Sequence, residues 1–158
     1  MSGVVAVVGP GDSTDESLLD AAYDVGTHLA RRGATLVCGG LGGVMSAACL
    51  GAKEHGGTTV GLLPGSERVA ANPHVDIAIP TGLGQGRNLL VVRAGDVLIV
   101  VGGSWGTLSE VAMAMRARVP VVSLHGWRMM DHAGREVTGL NEAEDPAEAV
   151  ALALGPTD

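Results

Sequence analysis

The chain of 158 residues has no phenylalanine, one tyrosine and two tryptophans, so aromatics make up 2 % of it. Its interior must be filled by Val, Leu, Ala, Ile and Met, within a hydrophobic share of 46 %. That composition suits a parallel sheet covered by helices, whose strands are buried on both faces. Lysine is almost missing: Lys53 is the only one, and Lys and Arg together number ten against seventeen Asp and Glu, a net charge of −7. This balance disfavours DNA handling, which calls for a basic surface. Any phosphate site must lean on backbone N–H groups and helix N-termini rather than on stacked cations. Cysteine is scarce as well. Cys38 and Cys49 form no CxxC pair, and no Cys/His cluster has metal spacing, so both read as buried thiols of a reducing cytoplasm, with no metal site. No basic-then-apolar leader precedes the first strand. The most apolar stretch, Leu89–Val101, is interrupted by Arg93 and Asp96 and is too short to span a bilayer. A cytoplasmic protein without a membrane partner is expected.

What is present is an alternation of strands and helices. Strands are expected at Val4–Val8, Thr35–Cys38, Thr58–Leu63, Val75–Ile79, Val97–Val101 and Val119–Leu124. Helices are expected at Asp15–Arg32, Gly43–His55, Gln85–Ala94 and Thr107–Ala117, with a last one opening at Asp145-Pro146 and running through Leu154. The first has apolar residues at Leu18, Leu19, Ala22, Val25, Leu29 and Ala30, a helical spacing. The polar stretch Gly126–Asn141 gives no clear element. No linker or repeat divides the chain, so one Rossmann-like domain over 1–158 is expected: a doubly wound, mostly parallel α/β sheet with helices on both faces.

Such sheets bind ligands beyond the carboxyl ends of their strands, and three of those ends are glycine-rich. They are Gly9-Pro10-Gly11-Asp12-Ser13-Thr14, Gly39-Gly40-Leu41-Gly42-Gly43 and Gly102-Gly103-Ser104-Trp105-Gly106-Thr107. Glycine lets backbone approach a ligand, and a helix N-terminus just beyond supplies N–H donors. There is no GxxxxGK[ST] P-loop, and neither of the first two loops has the last glycine of GxGxxG or a clear acidic residue closing the next strand, which argues against a dinucleotide oxidoreductase.

The segments "VCGGLGGVMSAACLGAKEHGGTTVGLLPG" (37–65), "ANPHVDIAIPTGLGQGRN" (71–88) and "VVGGSWGTLSEVAMAM" (100–115) resemble the lysine-decarboxylase-like family. Its best-known members are the "lonely guy" cytokinin-riboside monophosphate phosphoribohydrolases. The resemblance is nearer to the subgroup that includes the molybdenum cofactor carrier proteins, and it is clearest over 4–124. It implies a Rossmann-like sheet, a homodimer or homotetramer, and a phosphorylated small-molecule ligand, either an AMP-like nucleotide or a molybdopterin-type cofactor; no cofactor is expected to be required. It further implies phosphate binding by Gly102, Gly103, Ser104, Trp105, Gly106 and Thr107, ligand contacts from Gly9, from the earlier glycine loop at Gly39, Gly40, Gly42 and Gly43 and from Asn88, and a catalytic pair matched by Arg87 and Glu110. Three departures point away from hydrolysis and toward the carrier-like subgroup: Val101 where the hydrolases carry Pro, Asn88 where they carry Lys, and Ser109 where they carry a carboxylate. Lysine decarboxylation itself is excluded by chemistry, because pyridoxal phosphate needs a Schiff-base lysine and Lys53 lies deep in the second helix.

Each of these residues also has a plainer reading. Thr107-x-x-Glu110 has the spacing of a capping box, in which Glu110 only closes the helix start. Arg87 could be a solvated charge, and Trp105 either a plug against the helix or a stacking surface for a purine or pterin. Asp12, Ser13 and Thr14 read best as caps for the first helix, Asn72 as a turn residue, and Met113 and Met115 as core filler. The five scattered histidines pair with no nucleophile, and Ser66, Ser104 and Ser109 lie on no GxSxG elbow. The function expected is therefore binding or carriage of a phosphorylated small molecule, with nucleoside 5′-monophosphate phosphoribohydrolase as the alternative.

Overall fold

A computed structural model describes residues 3–156. Seven parallel strands form one sheet: β1 (Val4–Val8), β2 (Thr35–Cys38), β3 (Thr58–Leu63), β4 (Ile77–Pro80), β5 (Val97–Val101), β6 (Val121–Leu124) and β7 (Leu140–Ala143), in the order β4-β3-β2-β1-β5-β6-β7. The helices are α1 (Glu16–Arg31), α2 (Val44–Glu54), α3 (Asn88–Ala94), α4 (Trp105–Ala117) and α5 (Pro146–Leu154). The expected architecture is present, and the sheet is parallel throughout.

The central strands are valine runs whose alternate residues serve two cores. Val5 and Val7 of β1, with Val97, Ile99 and Val101 of β5, pack under α1, α2 and α5. Ala6, Val8, Leu98 and Val100 pack under α3 and α4. Both faces are covered by helices, the arrangement a buried parallel sheet needs. Strand order reverses between β1 and β5, where Val5 pairs with Val97 on one side while Val4 pairs with Thr35 of β2 on the other. The carboxyl ends of β2, β1 and β5 are therefore neighbours, and their three glycine loops lie side by side.

Several local expectations change. Asp15, not Asp12, Ser13 or Thr14, caps α1: its Oδ1 accepts the Ser17 and Leu18 N–H at 3.0 and 3.4 Å. The stretch before α3 is a separate 3-10 turn, Gly84–Arg87. The polar segment contributes the edge strand β7, whose residues Asn141 and Glu142 are exposed and leave no apolar alternation to read. Cys38 and Cys49 are both buried free thiols, as expected, and their sulfurs lie 3.5 Å apart. Met113 and Met115 are half-buried against the α3–α4 core. No helix among the described residues is long and apolar enough to cross a membrane.

Candidate functional site

The loop after β5 is built around a cap, in a different register from the expected one. Ser104 is the N-cap of α4: its Oγ accepts the Thr107 N–H at 3.2 Å and lies 2.8 Å from Thr107 Oγ1. The Leu108 N–H donates to the Ser104 carbonyl at 2.8 Å. Thr107 is thus the third helical residue rather than the cap, and Glu110 sits too far along α4 to reach back. The two N–H groups of the first turn that the cap does not take, those of Trp105 and Gly106, point out of the helix start. Gly106 has open space around it; a Cβ placed there would meet only Ser104 Oγ, at 3.8 Å.

The other loop glycines divide by what surrounds them. At Gly9, Gly40, Gly43 and Gly102 a Cβ would collide with Val101 O, Leu63, Pro10 O and Leu18 respectively, so these residues lock the loops against one another and against the core. Gly42 approaches Gly11 O alone. Gly39 makes room for the site itself. A methyl there would lie 2.7 Å from Arg87 Nη2.

Arg87 is 8 % exposed, in the turn that precedes α3. Its Nη1 donates to Asn88 Oδ1 and its Nη2 reaches the Gly39 carbonyl at a long 3.5 Å, while Nε donates to nothing. Asn88 therefore holds the guanidinium. Asn72, expected only as a turn former, ties the neighbouring loop down from outside: its Nδ2 donates to Leu41 O at 2.9 Å and its N–H to Gly40 O at 2.8 Å.

Glu110 is 7 % exposed, and its side chain has no hydrogen-bond or ion-pair partner among the described residues. Burial pushes its carboxyl up to about 7, and the nearby Arg87 charge only partly opposes this. Burial likewise draws the Arg87 guanidinium below its usual value, against the pull of Glu110 and of Cys38. The two side chains feel each other, yet they are not an ion pair. Those among the described residues are Lys53–Asp76, Arg128–Glu136, Arg128–Glu142 and Asp131–Arg135. The site thus holds a buried cation with a donor to spare, beside a carboxyl whose burial favours its protonated form. This can receive an anion or exchange a proton, and the capping reading of Glu110 is gone.

Trp105 is no plug. It is 80 % exposed at the first residue of α4. Its partner is Trp127, which no sequence signal placed here: the indoles meet edge to face at 5.0 Å between centroids and 86° between planes. Trp127 lies over Gly103, where a Cβ would be 2.4 Å from its Nε1. An open cleft runs beside it between the start of α1, at Asp15 and Ser17, and the Gly102–Gly103 backbone. The structure thus assembles buried Gly39, Arg87 and Glu110 with half-buried Asn88 as one cluster, and Gly102 to Thr107 as a lip that is exposed at Trp105 and Gly106. No group of three His, Cys, Asp or Glu that could hold a metal ion occurs among the described residues.

Known proteins are similar to this chain along most of its length. The molybdenum cofactor binding protein of Rippkaea orientalis superposes with a TM-score of 0.86 at 36 % identity, covering 96 % of this chain and 95 % of that one. An uncharacterized protein of Archaeoglobus fulgidus is 40 % identical over 146 residues, 92 % of this chain and 91 % of its own. A protein of Mycobacterium tuberculosis named cytokinin riboside 5′-monophosphate phosphoribohydrolase is 34 % identical over 149 residues, 86 % of this chain and 78 % of its own. These likenesses support a ligand-binding or phosphoribohydrolase-type function. The SLOG cluster4 family (LDcluster4) matches residues 2–150, well past the segment where the sequence resemblance was clearest, and this chain belongs to that family.

Proposed function

We propose that the protein binds and carries a phosphorylated small molecule, a nucleoside monophosphate or a molybdopterin-type cofactor, at the glycine edge of β2, β1 and β5. The observation that carries the reading is Arg87. A buried charge costs several kcal/mol unless it is compensated, and this one has no carboxylate within ion-pair distance and an unused Nε–H. Burial weakens the charge of the neighbouring carboxyl, so Glu110 does not fully neutralise the guanidinium. A phosphate brings the missing negative charge and the acceptors. The free N–H groups at the start of α4 add donors with the favourable end of a helix dipole. The same residues suit the terminal phosphate of a molybdopterin-type ligand. Calorimetric titration with AMP and with ribose 5-phosphate tests the reading: both should bind, and absence of heat with either phosphate ester overturns it.

One observation favours a second reading, hydrolysis of the N-glycosidic bond of a nucleoside 5′-monophosphate. Glu110 is freed from capping, is buried, and sits near 7, where a carboxyl can take a proton from water or support an oxocarbenium-like transition state. Release of free adenine from AMP, lost in Glu110→Gln, would establish it; a variant that releases base at the wild-type rate would remove Glu110 from the chemistry. We also propose that the protein works as a homodimer or homotetramer. Leu89 and Leu90 on α3 and Ile77 and Ile79 on the sheet edge are each more than 40 % exposed, a cost that a second copy would relieve. Leu90→Asp should then shift the mass measured by light scattering to that of the monomer, and an unchanged mass refutes this face.

A further inference from the structure

We infer that Trp105 and Trp127 form an aromatic corner that selects ligands carrying a planar fused-ring heterocycle. The inference rests on the phosphate reading for the other end of the ligand.

Aromatic side chains are almost absent from this protein, and none is spent on the core. Two of the three, both tryptophans, meet at the lip of the glycine loop. Trp105 gains nothing by burial, being 80 % exposed. Trp127 is held in place by its surroundings. His125 takes a left-handed φ of 55°, unusual for a residue with a side chain, and Gly126 packs on Ser123, so the chain folds back until the indole lies on Gly103. The turn, rather than any helix or strand, sets where this indole lies.

The geometry says what the corner can take. In an edge-to-face pair, the ring that offers its edge keeps both faces open, and its partner keeps one. A flat ring can therefore stack on one indole and meet the other at right angles, both favoured aromatic geometries. Trp105 is the first residue of α4, immediately before Gly106, whose N–H faces out of the helix start. A ligand with its phosphate there has its ring system within reach of the indole. A sugar phosphate without a base gains nothing from the corner. A purine or a pterin, both fused bicycles with extended π faces, gains a stack. Trp127 follows β6 and stands outside the glycine loop that faces the phosphate, which makes the corner a device for ligand choice rather than for phosphate capture.

The experiment uses the fact that the two tryptophans are the only ones, so intrinsic indole emission reports on this corner alone. AMP, a pterin monophosphate, adenosine and ribose 5-phosphate are titrated into wild type, Trp105→Ala, Trp105→Phe and Trp127→Phe, with emission and calorimetry read in parallel. Base stacking on an aromatic is typically lost at about tenfold in affinity per ring removed. The expected result is quenching by the heterocyclic probes but not by ribose 5-phosphate. AMP or pterin monophosphate should bind about tenfold more weakly to Trp105→Ala, with most of the loss restored in Trp105→Phe and ribose 5-phosphate affinity unaltered. The corner is overturned if no heterocyclic probe quenches, or if Trp105→Ala weakens AMP and ribose 5-phosphate equally or not at all. Failure of the phosphate reading looks different: ribose 5-phosphate gives no heat, while quenching by adenosine and its loss in Trp105→Ala still report on the corner. Trp105 is exposed, so its variants are expected to fold; matched melting curves confirm it.

Discussion

Glu110 offers a sharp test, because its burial makes a pH dependence with a definite sign. The carboxyl titrates at 4.5 in the unfolded chain and near 7 in the folded one. Below pH 4.5 it is protonated in both states and contributes no pH dependence. Between 4.5 and 7 the unfolded chain ionises first, so stability falls as pH rises. Above 7 both states are ionised and the whole penalty is present, about 3 kcal/mol at 1.36 kcal/mol for each tenfold change in proton affinity. Glu110→Gln removes the titration. It carries a constant offset, since an amide buried without a partner also costs energy, but that offset does not vary with pH. The assay is urea unfolding of both proteins from pH 4.5 to 8.5, without phosphate in the buffer. The difference curve should rise in favour of the variant by about 3 kcal/mol, or on the order of 6–12 °C in Tm for a chain of this size, with its midpoint between 5 and 7. A flat difference across that window refutes the reasoning: Glu110 would then ionise as an ordinary, solvated carboxylate. A rise of the opposite sign would mean that Arg87 pairs with it after all.

Three further changes follow from the same geometry. Arg87→Met should weaken binding of AMP by about 10- to 100-fold, the range of a charge-assisted hydrogen bond, while costing little stability or adding some, because a partly unpaired buried cation is removed; calorimetry and urea unfolding measure the two. Gly39→Ala places a methyl 2.7 Å from Arg87 Nη2 and 2.9 Å from Met45 Sδ; overpacking of this kind costs about 1–3 kcal/mol, and AMP affinity should fall in parallel. Ser104→Ala deletes the α4 cap and should cost about 1 kcal/mol, seen as a Tm lowered by roughly 2–4 °C, whereas Ser109→Ala, on an exposed hydroxyl bonded within the helix to Gly106 O, should move Tm far less.

The strands were readable because β1 and β5 are uninterrupted valine-rich runs, buried on both faces and closed by glycine. The helix α1 was readable from its apolar spacing, but not its cap, because four polar residues that can cap stand in a row and only the fold picks Asp15. The start of α4 went astray for a related reason. Ser104-x-x-Thr107 and Thr107-x-x-Glu110 are both plausible openings, and Gly106 argued against helix at a position where the first turn tolerates it. That choice mattered, since the wrong opening gave Glu110 a structural duty it does not have. Arg87 and Glu110 could be named from the resemblance, but no local pattern shows that both are buried or that they fail to pair; this depends on Gly39, 48 residues away in the chain. Trp127 had no periodic or motif signal at all. It reaches the site through the turn at His125, a backbone conformation that its side chain does not advertise.

The reversal of strand order at β1 has a kinetic side. The contacts that join β1 to β5, such as the Val4 N–H bound to Asp96 at 2.9 Å, close a loop of 92 residues. Pairings that distant form slowly, because loop entropy is lost before the contact repays it. Two of the three glycine loops precede that closure in the chain, but α4 and its open N–H groups exist as a site only after it. Under the phosphate reading proposed above, a fragment ending before β5 lacks part of the site, and a ligand that needs all three loops should bind the finished fold alone. Under the same reading, such a ligand at free concentration L raises global stability by RT ln(1 + L/Kd), so resistance to unfolding and proteolysis grows with the logarithm of its concentration.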